Sequence, residues 1–220
     1  MKIARLQRMF LPLLLCGTLV WTACSTSWIG EAEQIVNVLI PAVANVMTLI
    51  ATLRGNVPAA DLQTAQSVES QVNSDLQLLQ SLLGQYQKAA PSSQTGLLSQ
   101  IQAALGAVQS ELDELLPALH ITDTATQEKV ETLVGIVSSE VQSMAAIVPV
   151  VKEPESSVTV REAAKPAVEK IPLSASDFVT SYNAAMVRKT GNARLDHEAS
   201  GLRIHAHGKV ARWVSAGLLQ

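Results

Sequence analysis

The sequence has few aromatic residues. Phe, Trp and Tyr make up 3% of its 220 residues, whereas hydrophobic residues as a whole make up 48%. A core with so few rings has to be filled by Leu, Val, Ile and Ala, which favours helix-on-helix packing over a β-sandwich or barrel. Few rings are left to stack on bases, and a net charge of −3 provides no basic field. The composition therefore predicts an all-α protein and argues against nucleic-acid binding.

Cysteine is also scarce, and both cysteines, Cys16 and Cys24, lie in the first 24 residues. This placement excludes an intramolecular disulfide framework in the rest of the chain. No Gly-x-Ser-x-Gly motif and no phosphate-binding loop occurs. Paired acids such as Asp113 and Glu114 fall where solvated charges are the ordinary explanation. We therefore predict a protein that is not an enzyme and that has no cofactor.

The N-terminus has the organisation of a secretory signal. Lys2, Arg5 and Arg8 precede an uncharged apolar run over residues 9–23. A basic region before an apolar stretch of this length is typical of a signal peptide, and the stretch is short for a membrane span. Residues 1–23 are therefore predicted to be a signal peptide.

The end of this segment, Val-Trp-Thr-Ala-Cys-Ser over residues 20–25, resembles the lipobox of bacterial lipoproteins. The resemblance implies cleavage before Cys24 and lipidation of that residue, so that the membrane becomes a partner through the lipid. It places the protein in the bacterial cell envelope. Ser25 after the cysteine implies, in a Gram-negative cell, the outer membrane with the protein facing the periplasm.

An ordinary secretory signal is the alternative interpretation of the same residues. Ala23, Cys24 and Ser25 also fit a small-x-small cleavage pattern with the cut after Ser25. That cut removes both cysteines and releases a soluble protein.

The middle of the chain carries four segments in which apolar residues recur at steps of three and four. Short breaks at 55–58, 91–93 and 121–124 separate them, and Thr124 with Gln127 has the spacing of a capping box. Such segments predict amphipathic helices joined by short loops, and hence an antiparallel four-helix up-down bundle over 24–151. The repeating positions begin Val36, Leu39, Val43 in the first segment, Leu62, Ala65, Val72 in the second, Leu98, Ile101, Leu105 in the third and Val130, Val134, Val137 in the fourth.

Two features of these helices admit other interpretations. Residues 34–53 contain no charge and are long enough to cross a bilayer, which would make this a membrane-active or pore-related protein. Against that stand Pro41 and several polar residues, which are costly in a membrane span. Glu69 breaks the seam of the second helix and is the one acid that the pattern places in the interior.

Residues 152–176 have a different character. Pro154, Pro166 and Pro172 recur there among Glu, Lys, Ser and Val, and no helical stripe continues. This pattern predicts a linker that is extended and solvated.

Residues 177–220 form a basic tail with six Lys or Arg against three acids, whereas the bundle segment 24–152 has four against twelve. Ser174 and Asp177 have capping-box spacing ahead of a short helix. Apolar and polar residues alternate over 202–207, which is compatible with a strand. Residues 210–219 are compatible with a second short helix. So short a tail cannot build its own core.

The tail contains candidate residues for two kinds of site. His205 and His207 would share one face of a strand, with Asp196, His197 and Glu198 nearby, which gives a weak candidate metal site at His197, His205 and His207 in a secreted protein. The other is a contact surface for an unknown protein partner. Its candidate residues are Arg203, Lys209, Arg212 and Trp213.

The preferred hypothesis is a lipid-anchored, non-enzymatic helical bundle of the cell envelope. It would act as a structural or interaction module through its surface and its basic tail.

Overall fold

A computed structural model describes residues 27–53, 57–150 and 174–205 of the chain. Within these ranges the protein is all-helical, as the composition predicted, and contains no β-strand. The helices are α1 (Ser27–Ala51), α2 (Ala59–Lys88), α3 (Pro91–Ala118), α4 (Thr124–Ile147), α5 (Ala175–Val187) and α6 (Ala193–Gly201).

The packing of the helices explains why α1 is so apolar. Helix α1 packs on α2, α4, α5 and α6, while α3 packs on α2 and α4. Twelve residues of α1 are buried, from Trp28 to Ile50, because other helices cover α1 on several sides. The periodic segment had predicted a helix from residue 34, whereas α1 begins at Ser27. The additional turns bury Trp28 and Ile29.

The core is aliphatic, with two aromatic pairs at separate places. Trp28 and Tyr86 pack edge to face, with ring centroids 5.3 Å apart. Phe178 and Tyr182 stack at 5.7 Å. Both tail rings are fully buried, which shows that the short tail obtains its core by docking on the other helices.

Of the two caps predicted from the sequence, one is confirmed and one is wrong. Ser174 accepts a hydrogen bond from the Asp177 N–H and caps α5 as predicted. Helix α4 is capped by Asp123, whose carboxylate accepts from the Thr126 N–H at 2.8 Å, so the predicted Thr124–Gln127 box is wrong by one residue. Helix α3 begins at Pro91 with no side-chain cap.

Residues 174–205, which we name the C-terminal unit, differ from the predicted tail in two ways. Helix α6, at Ala193–Gly201, was not predicted. The strand suggested from residue 202 is wrong as far as residue 205, because this segment is irregular. The signal peptide 1–23, the linker up to residue 173 and the segment 210–219 lie outside the described residues.

Candidate functional site

The C-terminal unit contacts both α1 and α4, and hydrogen bonds fix its position on α1. The Tyr182 hydroxyl donates to the backbone carbonyl of Ala42 at 3.1 Å, in a buried setting. The Asn45 side-chain amide donates to the carbonyl of Leu202 at 3.2 Å. Burial raises the pKa of the Tyr182 hydroxyl, so that it remains a donor.

Asn183 holds the segment that follows α6 against α5. Its side-chain amide donates to the carbonyl of Ile204 at 2.7 Å, and its side-chain oxygen accepts from the N–H of Ile204 at 2.9 Å. Both backbone groups of Ile204 are thereby satisfied without a neighbouring strand. The side chain of Ile204 is buried.

Lys129 of α4 is a buried lysine in the interface with the C-terminal unit. Its ammonium donates to the carbonyl of Arg188 at 2.8 Å and lies 3.7 Å from the carboxylate of Asp196. Burial lowers the pKa of Lys129, and Asp196 partly opposes this effect. A lysine is seldom fully buried unless it is paired, and Lys129 joins α4 to both α5 and α6.

Asp196 organises the turn between α5 and α6. Its carboxylate accepts hydrogen bonds from the Thr190 N–H at 2.9 Å, the Thr190 hydroxyl at 3.0 Å and the Gly191 N–H at 3.3 Å. Burial raises the pKa of Asp196, but these bonds and the Lys129 ammonium outweigh it and lower the pKa overall. The structure therefore gives Asp196 a structural role in this turn.

Glu140 of α4 is fully buried, with an exposed fraction of 0%. Neither carboxyl oxygen has a hydrogen-bond partner among the residues that the structure describes. Burial raises the pKa of Glu140 to about 7, and the neighbouring charges of Asp177 on α5 and Glu31 on α1 contribute to the increase. Helix α4 thus presents a buried base and a buried acid to the C-terminal unit.

The sequence identified a different acid as the interior one. Glu69 is only half-buried, because Ala65, Val68 and Val72 occupy the adjacent core positions. Burial nevertheless raises its pKa. Glu140 was missed because it lies beside the main seam of α4, on a second face that is buried by α5.

A second pair of acids faces each other between α2 and α3. Burial raises the pKa of Glu111 to about 7, and the charge of Asp75 across the interface adds to this effect. One Glu111 oxygen is buried without a partner among the described residues. Both groups belong to the contact between the two helices.

Only three of the candidate site residues lie within the described ranges. His197, Arg203 and His205 are all exposed, His197 on α6 and the other two in the segment after it. Within residues 27–53, 57–150 and 174–205 no three His, Cys, Asp or Glu side chains are grouped as metal ligands. Cys24, His207, Lys209, Arg212 and Trp213 lie outside these ranges.

The basic residues of the C-terminal unit that the structure describes are all exposed to solvent. Arg188, Lys189, Arg194 and Arg203 are exposed, and none of them forms an ion pair with another described residue. We name these four residues the basic surface. The described part of α1–α4 has only two Lys or Arg residues, Lys88 and Lys129.

Helix α1 satisfies the length and hydropathy requirements for a membrane span, and it is the one such helix in the described part of the chain. The core helix of a soluble protein meets the same criteria. In this fold α1 is covered by four other helices.

No known protein family, no curated protein and no solved structure matches this chain.

Proposed function

We propose that the protein is a lipid-anchored, non-enzymatic helical bundle of the bacterial cell envelope that binds an acidic partner through the basic surface of its C-terminal unit. The observation that carries this proposal is the docking of the C-terminal unit with its four basic side chains directed to solvent. The sequence resemblance at Cys24 supports the anchor.

The helix arrangement that we propose is an up-down-up-down four-helix bundle. Between α1 and α2, Asn37 contacts Gln80 and Glu33 contacts Gln87, each at 3.0 Å, so residue numbers rise in one helix as they fall in the other. The contacts of Gln102 with Pro149 and of Gln109 with Ser138 give the same pattern for α3 and α4. Such pairings support antiparallel neighbours joined by short loops.

The central pair, α2 and α3, follows the same rule. Asp61 in the first turn of α2 accepts hydrogen bonds from the backbone N–H and the imidazole of His120, just beyond the end of α3, at 3.1 and 2.9 Å. These bonds from His120 lower the pKa of Asp61. Asp75 and Glu111 face each other further along the same two helices.

The anchored end of the bundle follows from the position of Cys24. Ser27, the first residue of α1, is the third residue after Cys24, so a lipid on Cys24 would hold the start of α1 close to the bilayer. Because Glu33 contacts Gln87, the end of α2 would lie at the same end of the proposed bundle. The His120 contact then lies at the opposite end, away from the membrane.

The basic surface extends toward that opposite end. Arg188 contacts Lys129, which is in the second turn of α4, close to the loop that contains His120. In an anchored protein, Arg188 and the rest of the basic surface would therefore lie away from the bilayer that holds the lipid. Because segment 24–152 has a net charge of −8, the basic surface attracts acidic partners while the rest of the molecule repels them.

Mass spectrometry of the mature N-terminus tests the anchor. The proposal predicts a chain that begins at Cys24 and carries a lipid mass, and it predicts that Cys24→Ser abolishes this mass. Cys16→Ser serves as the matched control and leaves the mature mass unchanged. An unmodified chain that begins at Thr26 would contradict the anchor.

Crosslinking in the native cell tests the partner surface. Arg194→Glu combined with Arg203→Glu is expected to lose the crosslinked partner, because two of the four charges of the basic surface are reversed. Lys88→Glu changes an exposed basic residue of α2 and is expected to retain the partner. Equal crosslinking in both variants would contradict a role for the basic surface.

A membrane-spanning α1 is the second candidate, and the length and hydropathy of that helix favour it. Carbonate extraction of Cys24→Ser distinguishes the two. Release of this variant supports the anchored bundle, whereas retention without a lipid supports a span.

A further inference from the structure

Helix α4 turns one face toward the C-terminal unit, and that face has a buried charge-bearing group near each end. Lys129, Leu133, Ile136 and Glu140 follow one another at spacings of four, three and four, so they share one side of the helix. Lys129 contacts Arg188 beyond the end of α5, and Glu140 faces Asp177 in its first turn. The two helices therefore run antiparallel, with one buried group of α4 near each end of α5.

The two groups differ in how they are compensated. Lys129 has a carbonyl acceptor and a carboxylate beside it. Glu140 has no hydrogen-bond donor among the described residues, and the charged groups that face it, Glu31 from α1 and Asp177 from α5, are both acids. A buried charge without a partner is costly, and two like charges increase the cost. Protonation removes the charge without moving any helix.

We infer that proton uptake by Glu140 fastens the C-terminal unit to α1 and α4, and that loss of this proton loosens it. The inference concerns residues within the fold and holds whether or not Cys24 carries a lipid. It adds a pH condition to the proposed function: the C-terminal unit, which bears the basic surface, is held in place when Glu140 is protonated.

The direction of the pH dependence follows from proton linkage. The pKa of Glu140 is about 7 in the docked state, above its ordinary value of 4.5. The docked state therefore binds the proton more tightly, and docking is strongest below pH 4.5. It weakens as the pH rises from 4.5 through 7, and it changes little at higher pH. Between pH 5 and pH 8 the docking equilibrium constant is expected to fall by about one order of magnitude or more.

Amide hydrogen exchange of the purified full chain, corrected for the intrinsic rate at each pH, tests the inference. We expect the protection of α5 and α6 to fall between pH 5 and pH 8, while the protection of the core of α2 falls less. Glu140→Gln has nearly the same shape and no charge, and is expected to keep α5 protected at pH 8. Lys129 is part of the same interface, so the difference between wild type and Glu140→Gln at each pH isolates Glu140.

Glu128→Gln is the matched control, because Glu128 is an exposed acid of the same helix and should retain the wild-type pH dependence. Glu31→Gln provides a second test through an exposed position that does not endanger folding. Removal of that charge is expected to lower the pKa of Glu140 and to reduce the opening of α5 at pH 8. A wild-type pH dependence in Glu140→Gln, or α5 protection that follows α2 at every pH, would overturn the inference.

Discussion

The hydroxyl of Tyr182 donates a hydrogen bond to the backbone carbonyl of Ala42 at 3.1 Å, across 140 residues of sequence. This bond joins a helix of the C-terminal unit to the most buried helix of the fold. Because Tyr182 is fully buried and stacks on Phe178, the bond is protected from water.

Tyr182→Phe isolates that bond. The change removes one oxygen and leaves the ring in place, so the free energy of unfolding is expected to fall by about 1 kcal/mol. Tyr182→Ala is expected to cost about 3–5 kcal/mol, because it also leaves a cavity. Urea denaturation measures both values. Tyr86→Phe is the control, since its hydroxyl makes no hydrogen bond within the described ranges, and an equal loss there would contradict the assignment.

Lys129 and Asp196 are expected to respond unequally to substitution. Lys129→Met fills the same space without a charge, and Asp196 keeps its bonds to Thr190 and Gly191, so the expected loss is about 1 kcal/mol or less. Asp196→Ala removes those bonds and leaves the buried ammonium without its counter-charge, with an expected loss of about 2–4 kcal/mol. Urea denaturation of the two variants at one pH gives the comparison. The reverse order would contradict the roles assigned here.

Glu111 predicts a pH dependence of global stability that is independent of Glu140. Burial and Asp75 raise its pKa from 4.5 to about 7, so its stabilising contribution is full below pH 4.5 and is lost as the pH rises through 7. Glu111→Gln is therefore expected to raise the free energy of unfolding at pH 8 by about 1 kcal/mol, because solvent screens this partly buried group, with little change at pH 4.5. Urea denaturation across this range measures the effect. Glu128→Gln serves as the control, because Glu128 is an exposed acid of α4 and does not contribute to the pKa of Glu111.

Two glycines predict opposite effects of the same substitution. Gly135 is exposed in the middle of α4, and a Cβ there meets no atom within 4 Å. Gly135→Ala is expected to raise the free energy of unfolding by about 0.5–1 kcal/mol. Gly191 has φ of 86° in the turn before α6, so Gly191→Ala is expected to lower it by about 1 kcal/mol. Thermal unfolding of both variants checks the pair, and a gain at both positions would contradict the argument.

The main helices were predictable because their apolar positions repeat with the period of a helix. The placement of α5 was not predictable, because the sequence of a short amphipathic helix does not indicate which helices it packs against. For the same reason Glu140 was not recognised as buried. A single apolar seam in the sequence identifies one buried face of a helix. Helix α4 has two buried faces, and the second is covered only by residues 174–205.

The contact between Trp28 and Tyr86 has a practical consequence. Trp28 is 9% exposed, and its ring lies edge to face against Tyr86 with centroids 5.3 Å apart. Its indole emission should therefore be blue-shifted and should gain intensity by energy transfer from that tyrosine. Trp28 lies four residues after Cys24. Its fluorescence is therefore an intrinsic reporter of the end of the molecule to which a lipid on Cys24 would be attached.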